Sequence, residues 1–230
     1  MKTITKKILW YMSFIISVLF LFASYKHWVS LQLTEVIGFV TGGYCVWLCV
    51  MENIWNWPIG ILNAVAFTVL FLHSKLYADA GLQIVYIILN ALGWYWWLKG
   101  GVKKTKLKVA RIGLKESAIL LCIGIIATFF FTRFLTRIGD VAPFWDGLTT
   151  VSSLIAQYML TRKYLENWFV WIATDVIYIA LYGSKHLVLT SVLYVMFMAM
   201  CFAGLRDWKK SRAATRIETP LVLTQKAHEA

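Results

Sequence analysis

Three polar stripes and one lone amide lie at helical spacing inside long apolar stretches of this sequence, and they are where chemistry could be done. Asp146, Thr150, Ser153 and Gln157 follow i, i+4, i+7 and i+11, one face of a helix. Trp168, Trp171, Asp175, Tyr178 and Tyr182 follow i, i+3, i+7, i+10 and i+14, so four rings share a face with one carboxylate. Gln83, Tyr86, Asn90 and Trp94 share a third face, and Asn63 stands midway through its own apolar stretch. Amides, hydroxyls and a carboxylate can read the polar edges of a small solute, while aromatic faces hold a flat and even cationic ring. A carboxylate such as Asp175, deep in an apolar stretch, reads as part of a ligand site or pathway.

The same residues speak against catalysis. His27, His73 and His186 fall near the ends of apolar stretches and His228 in the tail, with no nucleophile and base pairing and no zinc-ligand spacing. Cys45 and Cys49 share a helix face without a His or third thiol nearby; with Cys122 and Cys201 they read as reduced packing residues. No metal, cofactor or enzyme activity is expected. A blander reading gives Gln83, Ser152 and Ser153 to helix-to-helix hydrogen bonding, and Trp57, Trp94, Trp96, Trp97 and Trp208 to an interfacial aromatic belt.

The elements that must position these residues are membrane-spanning helices. Of 230 residues 60% are hydrophobic and only 15% charged, with mean hydropathy +0.68, too little charged surface for a water-soluble domain. Eight apolar stretches, at 8–25, 35–51, 54–72, 78–98, 117–135, 144–160, 167–183 and 187–205, each approach the roughly 20 residues that cross a bilayer. The first follows Lys2, Lys6 and Lys7 but lacks a small-x-small cleavage signal, so it reads as a retained span rather than a signal peptide. With all eight kept, 18 of the 23 Lys and Arg fall on the side of the N-terminus. That asymmetry predicts cytoplasmic N- and C-termini and a cytoplasmic 99–116 loop. The net charge of +12 then meets anionic lipid headgroups of the bilayer, not nucleic acid.

An internal repeat appears at an offset of 111 residues, which lays Asn56-Trp57 on Asn167-Trp168, Leu76 on Leu187, Gly93 on Gly204 and Trp97 on Trp208. Glu-Asn pairs, Glu52-Asn53 and Glu166-Asn167, precede the second helix of each copy. The predicted fold is an all-α membrane protein of 3+1+3 helices plus one extra N-terminal helix: residues 1–30 the extra helix, 35–98 the first three-helix repeat, 99–140 the basic loop and linker helix, 144–208 the second repeat and 209–230 a cytoplasmic tail. Because three helices invert the chain, the single linker restores its direction, and the repeats become parallel, as in a class of solute carriers. A channel or a ligand-binding partner of a larger complex would carry the same features.

Pro143-Phe144-Trp145-Asp146, the run Thr161-Arg162-Lys163-Tyr164-Leu165-Glu166-Asn167-Trp168 with Trp171, Leu76-Tyr77, Gln83, Asn90 and Gly93-Trp94-Tyr95 with Trp97 resemble the PnuC family of bacterial vitamin B3 transporters over about residues 35–208. The resemblance implies a SWEET-like fold, an inner-membrane location, and uptake of nicotinamide riboside by facilitated diffusion, with a cytoplasmic kinase trapping the product. Thiamine, riboflavin or deoxynucleosides, which other members of the family carry, stay open as substrates, as do an ion-coupled carrier and a homo-oligomeric assembly. On this reading Trp171 and Tyr178 stack on the ring, Asn63 and Asn90 read its carboxamide, and Asp175 or Gln157 takes ribose hydroxyls. Gln83, Tyr86, Trp94, Asp146, Ser153 and Trp168 complete the expected substrate-binding set.

Overall fold

The structure is a computed structural model that describes residues 33–73, 77–184 and 188–228. The expected helix within residues 1–30 and the Leu76/Leu187 equivalence lie outside the described residues. Among the described residues there are seven α-helices: α1 (Leu33–Val50), α2 (Asn56–His73), α3 (Tyr77–Lys99), α4 (Leu114–Arg137), α5 (Pro143–Thr161), α6 (Asn167–Ser184) and α7 (Val188–His228). A short 3-10 turn, Val102–Lys104, follows α3. Helices are the expected answer where no water can satisfy backbone N–H and C=O groups. The second through seventh predicted spans match α1 to α6 within a few residues, whereas α7 runs as one helix past the expected end of the last span into the tail.

Among the described residues four segments, Asn56–His73, Asp79–Lys99, Leu114–Arg137 and Ser191–Thr215, are long and apolar enough to cross a membrane by length and composition. Among the others α5 is the most buried, with Thr149, Ser153, Gln157 and Thr161 turned into protein. Its neighbours explain that tolerance: α5 packs against α3, α4 and α6, so its polar face meets other side chains rather than lipid. The remaining pairings are α1 with α2 and α7, α2 with α3, and α6 with α7.

Chain geometry repeats at the 111-residue offset bond for bond. In the turn after α1, Met51 N donates to Trp47 O, Glu52 N to Cys49 O and Asn53 N to Leu48 O. After α5, Arg162 N donates to Tyr158 O, Lys163 N to Leu160 O and Tyr164 N to Met159 O. Glu52 (φ 52°) and Lys163 (φ 58°) are both left-handed, a conformation that costs a residue bearing Cβ roughly 1 kcal/mol. The structural equivalents of Glu52 and Asn53 are thus Lys163 and Tyr164. The Glu-Asn pairs are not equivalent to each other: they sit 114 residues apart, out of register with the repeat.

Four tryptophans form the centre of the core. Trp57 stands edge-on to Trp97 at 5.2 Å, Trp97 to Trp208 at 5.8 Å and Trp168 to Trp208 at 5.3 Å between ring centroids. A Cβ on Gly93 would lie 2.3 Å from the Trp57 ring, and one on Gly204 would lie 2.4 Å from the Trp168 ring. Each glycine is therefore the seat of the tryptophan from the preceding helix. The belt assignment is overturned for Trp57, Trp97 and Trp208, which are at most 3% exposed. Their indoles fill the space between helices because the facing residue is glycine or another indole. Trp97 Nε1 donates to Leu160 O and Trp208 Nε1 to Cys49 O; Cys49 and Leu160 are themselves equivalents. Each copy thus caps the end of the other copy's first helix, adding a second hydrogen bond to a carbonyl that already accepts from the turn that follows it.

A candidate solute site between the two helical repeats

A cavity of about 410 Å³ lies among α1, α2, α3, α5, α6 and α7, in the range of small-molecule sites. Ten of the twelve residues singled out from the sequence line it: Asn63, Gln83, Tyr86, Asn90, Ser153, Gln157, Trp168, Trp171, Asp175 and Tyr178. Two do not. Trp94 is 39% exposed, because near this end of α3 the inward face runs through Asn90, Gly93 and Trp97. Asp146 sits in the first turn of α5, about two helical turns before Ser153, and is outside the lining.

Equivalent positions of the two copies face the cavity with different chemistry. Gly60 corresponds to Trp171, Ala64 to Asp175, Gln83 to Tyr194, Tyr86 to Phe197 and Asn90 to Cys201. The first copy supplies small residues and amides, whereas the second supplies rings and a carboxylate. On the amide side, Asn90 Nδ2 donates to Tyr86 O at 2.8 Å and its Oδ1 accepts from Gln157 Nε2 at 3.4 Å, a link across the copies. Asn63 donates to the Thr41 hydroxyl. A Cβ on Gly60 would fall 2.7 Å from Asn90 Oδ1, so that glycine makes room for the amide.

On the ring side, Tyr178 stacks on Tyr194 at 4.5 Å and 26°, Tyr182 continues the stack, and Phe197 meets Tyr194 edge-on. Asp175 is 4% exposed, and its Oδ2 is reached by the Cys201 thiol at 3.6 Å. Among the described residues no Lys, Arg or His lines this cavity. The buried Asn56 Oδ1, Trp57 Nε1 and Trp168 Nε1 have no hydrogen-bond partner within the protein. All three residues line the cavity, although these particular atoms are buried beneath its surface rather than exposed to it.

Sequence reasoning missed Asn56, Trp57, Tyr194 and Phe197. Tyr194 and Phe197 were legible only through the repeat, as the equivalents of Gln83 and Tyr86. A larger groove of about 810 Å³ runs between α4, α5 and α6, but its walls are mostly aliphatic and phenyl, with the hydroxyls of Ser117, Thr128, Thr132 and Ser152 scattered among them and Arg133 and Glu166 as its charged residues. It lacks the converging polar groups that orient a solute.

Residues 32–210 match the model of the nicotinamide mononucleotide transporter family. The chain is 27% identical over 208 residues to the nicotinamide riboside transporter PnuC of Escherichia coli strain K12, covering 79% of this chain and 87% of that protein. It is 24% identical over 179 residues to the riboflavin/roseoflavin transporter RibM of Streptomyces davaonensis, covering 76% and 84%. Its fold is similar to the crystal structure of the vitamin B3 transporter PnuC, with a TM-score of 0.68, 21% identity and coverage of 91% of this chain and 92% of that one. With an all-helical architecture and a solute-sized polar cavity, the chain belongs to the nicotinamide mononucleotide transporter family, the PnuC family of multi-pass membrane transporters, which is not an enzyme family.

Proposed function

We propose that this chain carries nicotinamide riboside across the inner membrane by facilitated diffusion, and that a cytoplasmic kinase traps the solute by phosphorylation. The carrying observation is Asp175: a buried carboxylate in the cavity wall, beside stacked tyrosines and without a cation in the lining. A buried charge without a partner is costly, and a pyridinium ring supplies both the positive charge and the flat face that such a wall accepts. On this reading the ring lies against Trp171, Tyr178 and Asp175, and the amides of Asn63, Gln83, Asn90 and Gln157 read the carboxamide and ribose. Tyr86 and Ser153 flank it. Asp146 and Trp94 then act outside the binding step.

The transport geometry in this proposal is a SWEET-like 3+1+3 plan, with α1–α3 and α5–α7 as parallel repeats and α4 restoring the chain direction. Both termini lie in the cytoplasm, in keeping with the Lys and Arg distribution. The relative RibM favours a second reading, a flavin as solute. Calorimetric titration of the purified protein with nicotinamide riboside, its 5′-mononucleotide and riboflavin tests both. The riboside should bind and the mononucleotide should not, because no fixed cation meets a dianionic phosphate in the lining. Equal affinity for the mononucleotide would sink the placement of the site, and preference for riboflavin would establish the second reading. Counterflow in proteoliposomes that ignores proton and sodium ionophores is the outcome facilitated diffusion requires.

A further inference from the structure

The wall at one end of the cavity is layered. Trp57 and Trp168 face the cavity; Trp97 and Trp208 stand behind them. Over Trp97, at 4.5 Å from its ring centroid, lies the Lys163 ammonium, which is paired with Glu52 at 2.7 Å. Glu52 and Lys163 are the same position of the two copies, so the pair joins the turn after α1 directly to its equivalent after α5. Both residues are left-handed, where glycine would sit without strain. Side chains kept at such positions need a reason, and here their charged ends meet.

The two turns are anchored unequally. The linker segment after α3 straps the second turn: Ala110 N donates to Lys163 O, Leu165 N to Ala110 O, Ile112 N to the Glu166 carboxylate and Lys163 Nζ to Leu107 O. The first turn has no such strap among the described residues, and its Trp55 is 63% exposed. Its links across to the other copy are the Glu52–Lys163 pair and the Trp208 N–H on Cys49 O.

We infer that the Glu52–Lys163 ion pair is the latch of the transport step: it holds the tryptophan wall shut on the side of the 100–113 segment and parts when the first turn swings away from the strapped second turn. This rests on the reading of the chain as a carrier, in which a solute must cross that wall. The latch acts on opening, not on the ligand, so binding and transport separate when it is weakened.

The test uses the full chain with Glu52→Gln, a neutral isostere, and Glu52→Gly, which relieves the left-handed strain while removing the side chain. In a Cys122→Ser background, a membrane-impermeant maleimide is applied from the 100–113 side of sealed vesicles, and labelling of the cavity thiols Cys45, Cys49 and Cys201 is timed. Both variants should label about threefold to fivefold faster than the parent, the population shift that one partly exposed pair controls. Counterflow of radiolabelled nicotinamide riboside should rise by a similar factor, with its dissociation constant within about twofold. The melting temperature of Glu52→Gly should not fall. Unchanged labelling, a loss of affinity in step with rate, or a fall in melting temperature for Glu52→Gly would make the pair a fixed staple and overturn the inference. Labelling needs no solute, so a parent protein that neither binds nor exchanges the riboside would refute the solute assignment while the latch is still judged.

Discussion

Asp175 and Trp171 are one turn apart on α6 and face the same cavity, while Trp97, an equally large ring, is sealed behind the cavity wall. Their replacement should therefore fail differently. Asp175→Ala should weaken binding of nicotinamide riboside at least about tenfold, roughly 1.4 kcal/mol, with the detergent-solubilised protein still melting near the parent temperature. If folded protein is lost in proportion to binding, the carboxylate is structural. Trp171→Ala should likewise appear in affinity. Trp97→Ala removes a ring that touches Trp57, Trp208 and the Lys163 ammonium and whose N–H caps Leu160. It should instead cost about 3 kcal/mol of stability, and calorimetry on the folded fraction would separate the two.

At the level of helices, the contact of α2 with α3 is set by what glycine permits. Gly60 on α2 leaves room for Asn90 of α3, whose carboxamide then reaches Gln157 of α5. Gly60→Ala should displace that amide and weaken solute affinity. On an Asn90→Ala background, where nothing remains to be displaced, the same substitution should add less than about 0.5 kcal/mol. A full additive loss in the double variant would show that Gly60 acts by some other route. Polarity on α5 has a similar origin. Held by α3, α4 and α6, it can carry Thr149, Ser153, Gln157 and Thr161, where a lipid-facing helix could not.

For the molecule as a whole, the charge asymmetry makes a topological prediction. A single cysteine introduced beside Lys104 should be labelled from the cytoplasm, and one beside Arg137 from the opposite side, when an impermeant reagent is applied to intact cells and to inverted vesicles. The reverse pattern would remove the proposed orientation and the parallel repeats with it. Packing around the cavity already follows the repeat: α1 with α7 mirrors α5 with α3, and α2 with α3 mirrors α6 with α7. Such an arrangement lets two similar halves close one solute-sized space from opposite sides.

The positions of the seven described helices, the 111-residue repeat and ten of the cavity residues were legible in the sequence, because hydrocarbon demands apolar stretches of fixed length and leaves polar residues conspicuous within them. The tertiary structure alone decided which tryptophans are core. Trp57, Trp97 and Trp208 lie near span ends, as interfacial residues do, and only the glycines opposite them and the indoles of the other copy show that they are buried. It likewise revealed the Glu52–Lys163 pair. Periodicity reports the face on which a side chain lies, whereas a contact between residues 111 positions apart exists only once both copies have folded against each other.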